Sequence, residues 1–125
     1  MFLKFNNFEI PIDLFDTQTA NEISKISLKE VKINTWGDEI YFKVPVKKAK
    51  LEQNARDIVN FGEVAYWVEG QCIAIGFGPT PASINKEIRL VTNVNIFGKF
   101  ETSNNVLKEL KNIKENDLVS IYNKL

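Results

Sequence analysis

The chain has 125 residues, with Lys and Arg (16) matching Asp and Glu (16), so no net field draws it to nucleic acid or to an anionic membrane. Its 44% hydrophobic and 26% charged content is that of a globular domain large enough to bury a real core, read as one domain over 1–125. Histidine is absent, which removes Ser-His and Cys-His nucleophile pairs and most zinc or iron sites, and a lone Cys72 cannot form an internal disulfide.

From the N-terminus, Phe2–Phe5 and Phe8–Ile12 read as two strands around the turn-forming Asn6-Asn7. Pro11 has no N–H to give, so its side of the second strand belongs at an edge or bulge. Residues 16–27 read as a helix capped by Asp16, Thr17 or Thr19; Ala20, Ile23 and Ile26 supply a narrow apolar stripe. Leu28–Thr35 returns to alternation, Trp36-Gly37-Asp38 turns, and Glu39–Pro45 alternates again. Ile40, Phe42 and Val44 share one face of that strand; Glu39, Tyr41 and Lys43 share the other. Lys47, Lys48 and Lys50 form a basic loop, and residues 54–59 read as a single helical turn capped by Asn54.

Residues 62–81 hold the clearest pattern. Val64, Tyr66 and Val68 alternate with Glu63, Ala65 and Trp67. After a two-residue turn at Glu69-Gly70, Ile73, Ile75 and Phe77 alternate with Cys72, Ala74 and Gly76. Gly78-Pro79-Thr80-Pro81 ends the hairpin. Although Gly76-Phe77-Gly78 has a Gly-x-Gly spacing, it runs into prolines and opens no helix, so it lacks the N–H array of a phosphate loop. Residues 82–93 read as polar, irregular and mobile. Val94–Phe100 is a strand, and Ser103 or Asn104 caps a helix whose Val106, Leu107, Leu110 and Ile113 share a face. Leu118–Tyr122 closes the chain as a strand.

This order of elements, eight strands and two helices, resembles the cyclophilin-like barrel. The resemblance is carried by Phe97-Gly98-Lys99-Phe100 with the following helix and Leu118–Tyr122, and by Thr19-Ala20-Asn21-Glu22 in the first helix. Trp36-Gly37-Asp38-Glu39-Ile40-Tyr41-Phe42, Asn54-Ala55-Arg56, Gly62–Trp67 and Phe77–Pro81 are similar to a family of small prokaryotic proteins described only as cyclophilin-like, without assigned function. The resemblance implies a mainly β fold, a closed eight-stranded barrel with two helices covering its ends. Prolyl isomerases of the wider family carry a catalytic arginine on the third strand. Here residues 27–45 contain no Arg, His or Gln, and the only arginines are Arg56 and Arg89. Neither Asn34 nor Thr35, near the expected place, carries the charge that polarises a prolyl peptide bond.

Two readings of the large aromatic residues follow. They fill and plug the barrel, or Trp36, Tyr41, Tyr66, Trp67 and Phe77 wall a cleft whose polar groups are Glu39 and Glu63. The second makes the chain a cytoplasmic binding module for a small molecule or short peptide, needing no cofactor and no metal, with a second copy of the chain as a further candidate partner. The alternative is an enzyme: a prolyl isomerase, or a hydrolase or lyase using Glu39 and Glu63 as an acid/base pair. Cys72, with no His and no cation beside it in sequence, reads as a small core residue.

Overall fold

The structure, a computed structural model, describes residues 1–123. The elements run β1 (Phe2–Lys4), β2 (Glu9–Pro11), β3 (Asp13–Leu14), α1 (Gln18–Ile23), β4 (Leu28–Thr35), β5 (Glu39–Lys43) and β6 (Arg56–Val59). They continue through β7 (Glu63–Trp67), β8 (Cys72–Gly76), β9 (Ile88–Lys99), α2 (Asn104–Lys111) and β10 (Leu118–Tyr122). The strands form one antiparallel path, β2-β1-β10-β4-β5-β8-β7-β9-β3, with β6 added to β9. The two ends of this path, β2 and β3, are separated in the chain only by Ile12. One bent strand therefore pairs with β1 through its first half and with β9 through its second. Counted that way, eight strands make the nearly closed barrel and β6 lies outside it. Pro11 sits in β2 opposite Phe2, and β2 has no other strand partner among the described residues. A residue without an N–H occupies the seam, where no ladder continues.

Alternation decides what enters the barrel. Leu3, Ile33, Ile40, Phe42, Val44, Val64, Tyr66, Ile73, Ile75 and Phe97 are fully buried and belong to one core cluster, which Ile23 of α1 and Leu110 of α2 join. Each such side chain withdrawn from water contributes about 1.5–3 kcal/mol before chain entropy is set against it. Thr17 caps α1, its hydroxyl accepting the Ala20 N–H at 3.0 Å, and Ser103 caps α2, accepting from Val106 at 3.0 Å. Thr19, also a candidate cap, is instead buried. Its hydroxyl donates to Glu52 and accepts from Asn95, tying the 50–52 segment to β9.

Three local expectations are overturned. Residues 54–59 do not form a helical turn; Arg56–Val59 is a strand because β9 offers it a partner, with Val59 opposite Ile88 and Ile58 opposite Arg89. The irregular stretch expected over 82–93 ends at Glu87, since β9 begins at Ile88 and runs for 12 residues. Even its loop is tied down: the Thr80 hydroxyl donates to the Arg89 carbonyl, and Ser83 Oγ accepts from the Arg89 N–H at 3.1 Å. The β7–β8 hairpin has a four-residue loop, Val68–Gln71, not two. Gln71 takes the left-handed conformation at φ 54°, and its N–H donates to the Val68 carbonyl at 3.2 Å.

Candidate functional site

The outward faces of β5, β8 and β7 carry the site. Ala65, Ala74 and Gly76 form a floor of small residues on β7 and β8. Its size lets β6 and the first half of β9 lie close over the sheet, enclosing a second apolar cluster of Val59, Ala65, Ala74, Leu90 and Val94. The fit is tight at Gly76, where a Cβ would come within 2.5 Å of Ile88 and 3.2 Å of Val59. Beside this cluster is a cavity of about 230 Å³, walled by Trp36, Glu39, Tyr41, Trp67, Ala74, Leu90, Val91 and Val94.

The walls are held from behind. Gly37, at φ 61°, lies so close to Thr80 that a Cβ would come within 2.9 Å of its Cα. The Asp38 N–H donates to the Pro79 carbonyl at 3.0 Å, and the Phe77 N–H to the Asp38 carbonyl at 2.8 Å. Trp36-Gly37-Asp38 and Gly78-Pro79-Thr80-Pro81, 40 or more positions apart in the chain, are two halves of one clamp that fixes the Trp36 and Glu39 end of the cavity. At the other end, Gly70 has no Cβ because the benzo edge of the Trp67 indole lies against it; a Cβ would sit 2.5 Å from Cζ3. Tyr41 meets Trp67 edge to face, centroids 6.2 Å apart at 78°.

The acidic group of the cavity is under-satisfied. Glu39 is 7% exposed. Its carboxyl has no hydrogen bond or ion pair among the described residues. Burial pushes its pKa up to about 7. Lys43, on the same face of β5, is engaged elsewhere, its Nζ donating to the Gly70 carbonyl at 3.0 Å. The Trp67 indole N–H is the one buried side-chain polar atom without a partner among the described residues. An unpaired donor of this kind marks a place where an additional acceptor would be stabilising. Burial and the Glu39 and Glu115 carboxylates raise the Tyr41 pKa, so its hydroxyl stays protonated.

Of the seven residues expected at a cleft, Trp36, Glu39, Tyr41 and Trp67 come together and three do not. Tyr66 faces the barrel interior, fully buried. Its hydroxyl donates to the Val44 carbonyl at 2.7 Å and accepts from the Val46 N–H at 3.1 Å, and burial pushes its pKa up to about 12. Phe77 is in the same interior core. Both stand on the inward row of their strands, so no cleft on the outer face can use them.

Glu63 is on the outward face but is claimed by Arg56, whose guanidinium holds both carboxylate oxygens, with Nη1 at 2.9 Å from Oε1. Burial alone would raise its pKa, but Arg56 and the Asn60 N–H, donating at 2.6 Å, outweigh it and hold the carboxyl below its usual range. Glu63 is thus ion-paired where Glu39 is not. Two strand spacings of about 4.8 Å also separate the two rows, and the ground between, over Gly76, is filled by Ile88 and Val59. The expected acid/base pair does not exist in this geometry.

Arg89 lies beside the cavity residues Leu90 and Val91 but faces elsewhere, bonded to Asp57 at 2.7 Å and Glu87 at 2.6 Å. Leu90 and Val91 fall in residues 82–93, which read as loop, and Val94 opens the strand read over Val94–Phe100, so none of the three entered the expected site. The signal was present in the alternation of Ile88 and Leu90. Burial raises the pKa of the Cys72 thiol, which donates to the Gly70 carbonyl at 3.3 Å. Among the described residues no three His, Cys, Asp or Glu side chains are grouped to hold a metal, and no helix is long and apolar enough to cross a membrane.

Comparison with known proteins places this geometry in a family. No curated protein sequence matches the chain. The solution structure of a hypothetical protein from Archaeoglobus fulgidus is similar at 33% identity over 97% of this chain and 91% of that one, with a TM-score of 0.77. The family model described as cyclophilin-like matches residues 1–121. The barrel, its seam strand and its two helices are therefore shared architecture, and the chain belongs to the cyclophilin-like family.

Proposed function

We propose that this protein is a binding module that takes a small molecule in the cavity between β5, β7 and β9. The observation that carries the reading is the meeting of Trp36, Tyr41 and Trp67 around the Glu39 carboxyl, which has no partner within the described residues. Aromatic and aliphatic walls with a few convergent polar groups are the usual make-up of a ligand site. The volume, about 230 Å³, holds roughly seven or eight waters at about 30 Å³ each. A metabolite of that many heavy atoms, or a single side chain of a peptide, fits; a longer peptide does not. A cytoplasmic setting suits the single buried, protonated cysteine.

Prolyl isomerisation is disfavoured on this reading, because both arginines are committed to carboxylates outside the cavity lining and neither is placed to polarise a peptide bound there. The second reading, an enzyme using Glu39 alone as a general acid or base, is favoured by one observation: its pKa of about 7 is matched to neutral pH.

Both tryptophans of the chain line the cavity, so intrinsic fluorescence reports its occupancy directly. Native mass spectrometry of gently purified protein and a fluorescence-read metabolite screen should show a retained mass or a saturable shift, abolished in Trp67→Leu. Absence of both would refute the binding reading. Turnover that Glu39→Gln abolishes would decide for the enzyme, and a protease-coupled prolyl assay above background would overturn the arginine argument.

A further inference from the structure

We propose that the ligand of this cavity is a small organic cation, an alkylated ammonium group; this rests on the reading of the cavity as a ligand site. The residues leave little room for other classes. Trp36, Tyr41 and Trp67 supply aromatic rings, two of them nearly perpendicular, and a cation beside such rings is attracted to their π electrons. Glu39 adds a carboxylate that no Lys or Arg of the described chain neutralises. Leu90, Val91, Val94 and Ala74 make the rest of the lining apolar. An anion finds no free cation there, because Lys43 is bonded to Gly70 and Arg89 to Asp57 and Glu87. A compact inorganic cation would have to shed its water against aliphatic carbon. An alkylated ammonium exposes methyl groups to the aliphatic wall and the aromatic rings while its charge answers Glu39.

The charge balance supports this. Ionisation of Glu39 is pushed up into the neutral range because nothing compensates its charge. A bound cation supplies that compensation, so cation binding and ionisation of Glu39 are coupled. The other titratable and charged groups around Glu39 are Tyr41 and Lys43 on β5, Cys72 on β8 and Glu115 beyond Tyr41, with Arg89 of β9 turned away to Asp57 and Glu87. Of these, Tyr41 and Cys72 have raised pKa values and stay protonated through neutral pH, while Arg89 stays charged.

The test titrates the intact protein with choline and with its neutral carbon isostere, 3,3-dimethylbutan-1-ol, reading tryptophan fluorescence from pH 6 to 8. A Glu39 pKa of about 7 makes the ionised fraction, and with it the affinity for choline, rise about tenfold over that range. Affinity for the isostere should stay flat or fall. Glu39→Gln, checked for an intact fold by two-dimensional NMR, should lose the preference for choline yet keep the isostere. N-acetyl-trimethyllysine amide distinguishes the source, since tighter binding than choline assigns the ammonium to a modified lysine and weaker binding to a free metabolite.

Equal, pH-independent binding of choline and isostere would overturn the cation while leaving the cavity a ligand site. Binding of neither probe, with a neutral or anionic hit in the metabolite screen, would do the same. Binding of neither, with no hit at all, would overturn both readings.

Discussion

Replacing Glu39 by Gln should make the protein more stable at high pH and leave the difference to vanish at low pH. In the unfolded chain this carboxyl ionises at its ordinary pKa of 4.5; in the fold it does so at about 7. The sign follows from proton linkage. Below pH 4.5 both states are protonated and the group has no differential effect. Between 4.5 and 7 only the unfolded state gives up its proton, so stability drains away, and above 7 the loss is complete. A displacement from 4.5 to about 7, at 1.36 kcal/mol per pKa unit, amounts to about 3 kcal/mol. Gln keeps the size and polarity but carries no charge, so any packing penalty it introduces is the same at every pH. Urea denaturation of both proteins from pH 4 to pH 9 reads the effect. The stability of Glu39→Gln relative to the parent should climb by about 3 kcal/mol across that range, centred between 4.5 and 7. A constant offset, or a Glu39 carboxyl that NMR shows titrating near 4.5, would refute the reasoning, because the cavity would then be wet enough to solvate a carboxylate.

Three further substitutions probe the supports of the site and core. Gly70→Ala drives a methyl group into the Trp67 ring; it should destabilise the fold by about 1–3 kcal/mol and shift the tryptophan emission, and an unchanged spectrum would show that the indole is not seated there. Tyr66→Phe strips the Val46 N–H of its acceptor and the Val44 carbonyl of its donor inside the barrel; a loss of about 1–3 kcal/mol in urea melts is expected. Arg56→Met, at a partly exposed pair, should lose no more than about 1 kcal/mol near neutral pH. That loss should fade as pH falls below the ordinary pKa of 4.5 through the lower folded value and Glu63 takes up its proton.

How much of this was legible depended on whether a residue's role is set by its own strand or by a distant one. Ile40, Phe42 and Val44 alternate with Glu39, Tyr41 and Lys43 within five or six residues, so the inward and outward rows could be read directly. That reading brought Glu39, Tyr41 and Trp67 to one side. The same alternation also put Tyr66 and Phe77 on the inward rows, and they enter a site list only if aromatic character is weighed above parity. Gly70 was read as a turn residue. Its backbone φ needs no glycine, and the bulk it lacks is displaced by the indole of Trp67, a contact between turn and strand that composition does not reveal.

The sequence by itself marked most of the strands, the helix starts (with Asp16, Thr17 or Thr19 and Ser103 or Asn104 as candidate caps), the inward rows and the family resemblance, because these follow from local periodicity, side-chain hydrogen bonding within one turn, and motifs written contiguously. Only the tertiary structure decided that Arg56–Val59 is a strand, that β9 starts at Ile88, and that Glu63 is ion-paired while Glu39 is not. Most of these are set by a partner far away in the chain: β9 for Arg56–Val59, β6 for the start of β9, and the cover laid by Leu90, Val91 and Val94 for Glu39, while Glu63 is paired by Arg56 seven residues away across the turn into β7. A strand needs a neighbour to take its hydrogen bonds, and a carboxylate's charge depends on the water left beside it; neither quantity is a property of the residues that carry it.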